Sequence, residues 1–327
     1  MMLDIVGKRY WYFLGSILLL LPGIISLLLP GGLRPGIDFS SGSIMTLHFE
    51  QTVEQSELRD EFTTLGHPEA MVQKTTGTAG GSTFLVRTFP LSGEQKDTSG
   101  QVVQVSGRQK AENALKQRFG TMEVLTFDSV SPLIASEIVR NSILAVAAAS
   151  VGILLYIAYA FRRVRKSFRW GACAVVALVH DALVVLGIFS LLGRFFEIEL
   201  DAMFITAVMT IIGFSVHDTI VVFDRIRENY GRRVGDRLES IINHSIMQTM
   251  SRSLNTTMTV LLVLGALYLF GGVTTRNFVL AMLIGVTAGT YSSIFVASSL
   301  LVVWENGELK AGWRRLFGSK QVAKASS

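Results

Sequence analysis

Six stretches of this chain are apolar and long enough to cross a bilayer, roughly residues 10–30, 140–161, 170–193, 200–224, 252–272 and 277–304. Inside lipid a helix must satisfy its backbone within itself, so the expected fold class is a polytopic α-helical membrane protein. Charged residues make up only 17% of the chain, against about 25% in soluble domains. The net charge of +5 and pI near 9.4 raise the question of nucleic acid. The basic residues instead sit in short clusters beside the apolar runs, at Lys8 and Arg9, Arg162 to Arg169, Arg225 to Arg237, and Arg314 to Lys324. That is the signature of cytoplasmic loops in a lipid bilayer, and no basic face with interleaved aromatics points to a nucleic-acid partner.

The positive-inside rule places both termini, the 162–169 loop and the 225–237 loop in the cytoplasm. The first run, Tyr10 to Leu29, is too long for a signal-peptide core and reads as a retained anchor. The expected organisation is an N-terminal segment with the first span (1–30), an extracytoplasmic domain (31–139), spans two to six (140–304) and a basic cytoplasmic tail (305–327). Cys173 is the single cysteine, so no intrachain disulfide can form and a cysteine-based metal site is excluded.

The external segment reads as a small α+β domain. Strand alternation marks Ser43–Glu50, Ala70–Thr76, Thr83–Phe89 and Met122–Phe127. Helical spacing marks Glu54–Leu65, with Leu58, Phe62 and Leu65 on one face, and Gly107–Phe119, with Ala111, Leu115 and Arg118 along it. The order β-α-β-β-α-β predicts a ferredoxin-like sheet. Gly77–Ser82 and Leu91–Gly100 have loop composition. A helix beginning near Ser131 is expected to continue into the second span.

Small residues recur every four positions in two spans: Ala281, Gly285 and Gly289 in the last, and Ala145 with Ala149, Ala148 with Gly152, in the second. Such spacing lets helices approach closely, although lipid-facing helices tolerate small residues too. Leu238–Met250 has an amphipathic pattern suited to lying along the cytoplasmic interface.

Ionisable residues inside the apolar runs are expensive, about 2.5–3.5 kcal/mol at a helix centre on insertion scales, so each needs a reason. Asp218 lies in the fourth span, with Ser215 on its face and His217 beside it. Arg252 starts the fifth, with Asn255 and Thr256 on its own face. Both belong to the cytoplasmic halves of antiparallel neighbours, so a pair is geometrically reasonable. Burial and a neighbouring cation pull a carboxyl's proton affinity in opposite directions. Arginine stays charged, so Asp218 would be the titrating member of a proton-responsive pair. Two bland alternatives stand beside this: a static ion pair that fixes packing, and an Arg252 that snorkels to the interface. His180 and Asp181 are adjacent in the third span and diverge by about 100° around the helix. The histidine reads as a buried hydrogen-bonding residue and the aspartate as a second candidate in a proton path.

Enzymes are not favoured. The Ser, His and Asp of GFSVHD are too close along one helix for a triad, and the metalloprotease, Walker A and dinucleotide motifs are absent. No cofactor and no metal is expected, so work must come from an ion gradient or a partner.

Several segments resemble one family. GFSVHDTIVVFDRIREN (213–229), SRSLNTTMTVLLVLGALYLFGG (251–272) and FVLAMLIGVTAGTYSSIFVASSLLVVWE (278–305) are similar to the last three spans of the SecF branch of the SecD/SecF family, and VALVHDALVVLGIFSLLG (176–193) to its third. GIDFSSG resembles the family's G-x-D-F-x-G-G motif through Gly36, Asp38, Phe39 and Gly42, with Ser41 in place of the first glycine of the pair. The resemblance implies an RND-type half-bundle of six helices in the bacterial cytoplasmic membrane. It also implies a partner, SecD, and action beside the SecYEG channel, where protons drive late export of a translocating preprotein. The family's fourth-span aspartate falls on Asp218 and its fifth-span arginine on Arg252; His217 replaces a common asparagine. Two other readings remain: half of an RND-like exporter of lipids or small molecules, and a structural scaffold for the channel.

Overall fold

A computed structural model describes residues 4–75, 81–91, 95–96, 102–104, 107–162, 167–232, 234–235, 237–272 and 275–308. These fall into two compact units, one drawn from residues 35–143 and the other from the residues before and after.

The first unit begins with a short helical turn within residues 35–41 and continues into a four-stranded sheet. Its strands are β1 (Gly42–Phe49), β2 (Met71–Thr75), β3 (Ser82–Thr88) and β6 (Met122–Val130). Helix α3 (Gln55–Thr64) lies between β1 and β2, and α4 (Gly107–Phe119) precedes β6. The sheet order β2-β3-β1-β6 is antiparallel throughout, which is the split βαβ arrangement that the alternating strand pattern predicts. Period-two burial sends Met45, Leu47 and Phe49 of β1, with Phe84 and Val86 of β3, into one core. Leu58 and Phe62 reach it from α3, and Leu115 and Phe119 from α4. Phe49 meets Phe84 and Phe119 edge-on at centroid distances of 6.1 and 5.7 Å.

Three details differ from the sequence reading. Arg118 stands outside the core and pairs with Glu61, while Phe119 takes the inner position. Within the expected loop Leu91–Gly100, Gln95–Lys96 (β4) pairs with Val102–Gln104 (β5). Most of Gly77–Ser82 lies outside the described residues, as does the expected tail beyond residue 308.

The GIDFSSG motif folds as the helical turn α2 (Ile37–Ser40), capped at Gly36. Ser41 then takes φ 61°, ψ 160° and Gly42 φ 144°. A Cβ at Gly42 would stand 2.9 Å from the Thr88 carbonyl oxygen, so that glycine is required on both counts. Ser41 occupies a region used almost only by glycine, at a cost of about 1–3 kcal/mol. Ser41→Gly should therefore raise the unit's resistance to urea by about 1 kcal/mol; an unchanged or lower midpoint would show that the strain is absent.

Glu69 accepts from Thr88 Oγ1 at 2.9 Å and the Phe89 amide at 3.2 Å, with His67 Nδ1 3.3 Å away. Burial pushes its carboxyl up, but its own and the Phe89 amides, the Thr88 hydroxyl and His67 outweigh that and hold it below the usual carboxylate range. A carboxyl lowered by folding stabilises at pH above its unfolded value and loses that contribution as pH falls through the folded value. The stability gap between wild type and Glu69→Gln, measured in urea, should be full at neutral pH and close in acid; a pH-independent gap would contradict it.

Among the described residues six helices are long and apolar enough to cross a membrane; they lie in the second unit, except that the second of them begins within the first unit. They are α1 (Arg9–Leu28), α5 (Pro132–Ala160), α6 (Ser167–Phe196), α7 (Ala202–Gly231), α8 (Leu238–Phe270) and the last helix. That last helix is α9 (Arg276–Tyr291), a π-helical turn (Ser292–Ala297) and α10 (Ser298–Glu305) in unbroken succession. Helix α5 starts at Pro132 without interruption, as the sequence leads one to expect. Leu238–Met250 is not a separate interfacial helix: it is the first part of α8, burying Ile241, Ile242, Ser245, Ile246 and Thr249.

Packing relies on absent side chains. A Cβ on Gly23 of α1 would lie 2.6 Å from the Gly187 Cα of α6, and beside this crossing Ser26 and Ser190 share a 2.7 Å hydrogen bond. On α9, a Cβ at Gly285 would meet the Ile211 side chain of α7 at 2.3 Å, so the Ala281–Gly285–Gly289 stripe is a true contact face. The matching spacing in α5 is not: Gly152 has no neighbour within 4 Å. Near the start of α6, Phe161, Trp170 and Phe223 close an aromatic triangle with centroids 5.7–5.9 Å apart.

Candidate functional site

Helix α7 is anchored at its start by Asp201, which caps the Phe204 amide at 2.8 Å. Its inner face then carries Phe204, Ala207, Val208, Ile211, Ser215, Asp218, Thr219 and Val222, a stripe of helical period against α9. Asp218 is thereby placed at 4% exposure in the middle of a membrane-length helix. Among the described residues its side-chain hydrogen bond is a long one, from Thr290 Oγ1 at 3.4 Å, and Thr290 in turn shares a 2.7 Å bond with Thr257 of α8.

Asp218 and Arg252 form no ion pair: of the alternatives left open by the sequence, neither paired one is seen, and Arg252 is exposed on α8. Asn255 and Thr256 do share the face of Arg252, but that face of α8 is exposed, and Ser253 and Thr257 are the ones turned inward. The spacing could not reveal this, because inner and outer faces of α8 both carry hydroxyls here. His217 is also exposed. Ser215 is buried but serves a different carboxylate from the one its spacing suggested. It donates to Asp181 Oδ2 at 2.5 Å.

Asp181 is fully buried. Its Oδ2 also accepts from Ser292 at 2.7 Å, and its Oδ1 lies 3.0 Å from His180 Nδ1. Adjacent residues on a helix diverge, yet the imidazole is long enough to reach back to its neighbour's carboxylate. His180 is buried as expected of a hydrogen-bonding core histidine. Thr219 and Ser293 share a 2.8 Å bond, and Ser293 reaches the Ser215 carbonyl at 3.4 Å. Sequence reasoning grouped Thr257 with the polar residues after Arg252 and took Ser292 and Ser293 only as a continuation of the small-residue stripe; it missed Thr290. These last three sit in AGTYSSIF, where the hydroxyls after the stripe were the available signal.

The end of α7 carries a largely solvent-facing charge run. Arg225 pairs with Glu228, and Arg227 with Asp224, each at 2.5 Å along the helix. Among the described residues no group of three or more His, Cys, Asp or Glu could hold a metal ion. Gly36, Asp38, Phe39 and Gly42 are in the other unit, at the turn described above.

Residues 110–307 match the family described as protein export membrane protein SecD/SecF, C-terminal, and residues 31–53 match the SecD/SecF GG motif. The chain is 50% identical over 317 residues to the protein translocase subunit SecF of Thermobaculum terrenum, covering 96% of this chain and 98% of that one. It is 42% identical to the SecF subunit of Anaerolinea thermophila over the full length of both. The crystal structure of SecDF from Thermus thermophilus superposes with a TM-score of 0.75 at 33% identity, covering 94% of this chain. This chain spans only 39% of that SecDF chain, and likewise 39% of the SecDF translocase subunit of Bacillus subtilis, to which it is 32% identical.

Proposed function

This chain belongs to the SecD/SecF family of protein-export membrane proteins, and we propose that it is the SecF-type half of a proton-driven translocase complex with SecD. It assists the late, outward stage of preprotein passage through the SecYEG channel; it transports and does not catalyse a covalent reaction. Both termini lie in the cytoplasm, with residues 31–139 outside, following the Lys/Arg distribution.

The observation that carries the reading is Asp218, a nearly sealed carboxylate in a membrane-length helix with no ion pair among the described residues. An unpaired charge there is costly in the ionised form and cheap in the protonated one. Small changes in water access or in a nearby cation then decide whether it holds a proton. A transmembrane potential supplies about 2.3 kcal/mol per charge per 100 mV, so each proton passing such a site brings usable work.

The position of Arg252 supports the need for SecD. Thr206, Thr210, Gly213 and His217 follow one another on the exposed side of α7, and Arg252, Asn255 and Thr256 are exposed on α8. Lipid does not tolerate such a polar surface, so polar groups in membrane helices face protein or water. A second half-bundle laid on this face would cover it, in keeping with the SecDF relatives in which about two fifths of one chain corresponds to this one. Arg252 would then act across the interface on the partner's side of the proton path.

Gly213 tests the interface without disturbing this chain, since nothing lies within 4 Å of a Cβ there. Gly213→Leu should leave the thermal stability of the purified chain unchanged and lower co-purification with SecD about tenfold, the effect of roughly 1.4 kcal/mol of overpacking. Undiminished co-purification would remove α7 from the interface. Under the scaffold alternative, removing the Asp218 charge would abolish assembly and export together; under the exporter alternative, the chain would not co-purify with the channel.

A further inference from the structure

The proton reading of Asp218 leaves a second buried carboxylate without a task. We propose that His180 and Asp181 form a separate proton-holding site, coupled to Asp218 by the hydroxyl-bearing turn of the last helix; this rests on the reading of the bundle as proton-driven. In the ionised pair a neutral imidazole donates Nδ1–H to the carboxylate across 3.0 Å and the pair carries one negative charge. One added proton makes the pair neutral, whether it sits on Nε2 as imidazolium or the pair becomes an imidazole beside a carboxylic acid, so the dyad holds or releases that proton as a unit.

His180 borders a largely apolar groove of about 700 Å³ walled by α1, α6 and α9, with Leu19, Val184, Thr287 and Tyr291 around it. Its Nε2 is buried and has no hydrogen-bond partner, an expense that a core histidine with only a packing role would avoid. The groups facing the dyad are few. Helix α9 brings Tyr291, whose ring centroid is 6.4 Å from that of His180 and whose hydroxyl is committed to the Tyr12 carbonyl at 2.9 Å. Helix α7 brings Ser215 and, one turn on, Asp218; the α1 wall of Gly15 and Leu19 has no titratable group. Among the described residues no arginine or lysine pairs with the dyad.

Coupling comes through one turn. Thr290 touches Asp218, Ser292 touches Asp181, and Ser293 reaches both Thr219 and the Ser215 carbonyl. The π-helical geometry that begins at Ser292 turns consecutive Ser292 and Ser293 both fully inward. π-turns concentrate at functional sites. A carboxylate accepts from these hydroxyls, whereas a protonated acid donates, so protonation at either site rearranges the turn that serves the other.

The test is infrared difference spectroscopy of the full chain with SecD in membranes, through the working pH range, with labelled histidine to separate imidazole from carboxyl bands. Wild type should show two titration steps. Asp218→Asn should remove one of them. Asp181→Asn and His180→Gln should each remove or move the other, and Ser292→Ala should move the same step. If Asp181→Asn and His180→Gln both leave the titration as in wild type, the dyad holds no exchanging proton and the proposal fails. If Asp218→Asn removes no step, the underlying reading of Asp218 fails, and the dyad is still judged by its own two variants.

Discussion

Asp218→Asn should abolish the part of export that depends on a proton gradient while leaving the protein in the membrane and bound to SecD. The amide is nearly isosteric, can still accept from Thr290 Oγ1 at the 3.4 Å contact, and removes the one property the account requires, an exchangeable proton. A buried neutral amide costs less than a buried charge, so folding should not suffer. In membrane vesicles, preprotein release with a gradient imposed should fall to the rate seen without one. Release that still responds fully to the gradient in the variant would mean that Asp218 only packs. Loss of the chain from the membrane would place it instead among structural residues, as the scaffold reading requires.

The second large effect is expected at the crossing of α1 and α6. Gly187→Leu introduces a side chain where a Cβ alone would be 2.9 Å from the Gly23 Cα, backbone against side chain with no flexible atom to yield. Overpacking of this kind costs about 3 kcal/mol, and helices in lipid have only close packing and polar contacts to hold them together. The crossing must open, breaking the nearby 2.7 Å bond between Ser26 and Ser190. Thermal denaturation in mild detergent should show a midpoint lowered by several degrees and reduced amounts of protein in the membrane. At Gly152, where a Cβ meets nothing, the same substitution should be silent. Equal effects at the two positions would show that the crossing does not limit stability.

The contrast between those glycines also shows what could be read from the chain alone. Four-residue spacing is identical in α5 and α9, but spacing says only that a face of small residues exists. Whether another helix occupies it depends on tertiary placement, which put Ile211 against Gly285 and nothing against Gly152. The six spans and the βαββαβ sheet were legible because apolar length and period-two burial are local properties. The continuation of α8 through Leu238–Met250 was not, since an amphipathic pattern is equally suited to an interface and to a helix that leaves the bilayer and packs on α7.

The candidate site divides along the same line. That Asp218 would be buried followed from its apolar surroundings, and that Arg252, Asn255 and Thr256 share a face followed from their spacing. The direction of that face did not follow, because helical spacing fixes which residues share a face and not which way the face points. The partners of Asp181 were hidden for another reason: Ser292 is 111 residues away in the chain, and only the wider turn of a π-helix brings it inward together with its neighbour. Ser41 was noticed as a departure from the glycine pattern, and its positive φ gives that departure a physical cost.

The most direct measurement is proton movement itself. Sealed vesicles carrying this chain, SecD and the channel, loaded with a pH-sensitive dye and given an imposed gradient, should show proton entry that accelerates while a preprotein is being released. The account predicts that Asp218→Asn reduces this flux to that of vesicles lacking the complex. Proton entry at the wild-type rate in that variant would contradict it.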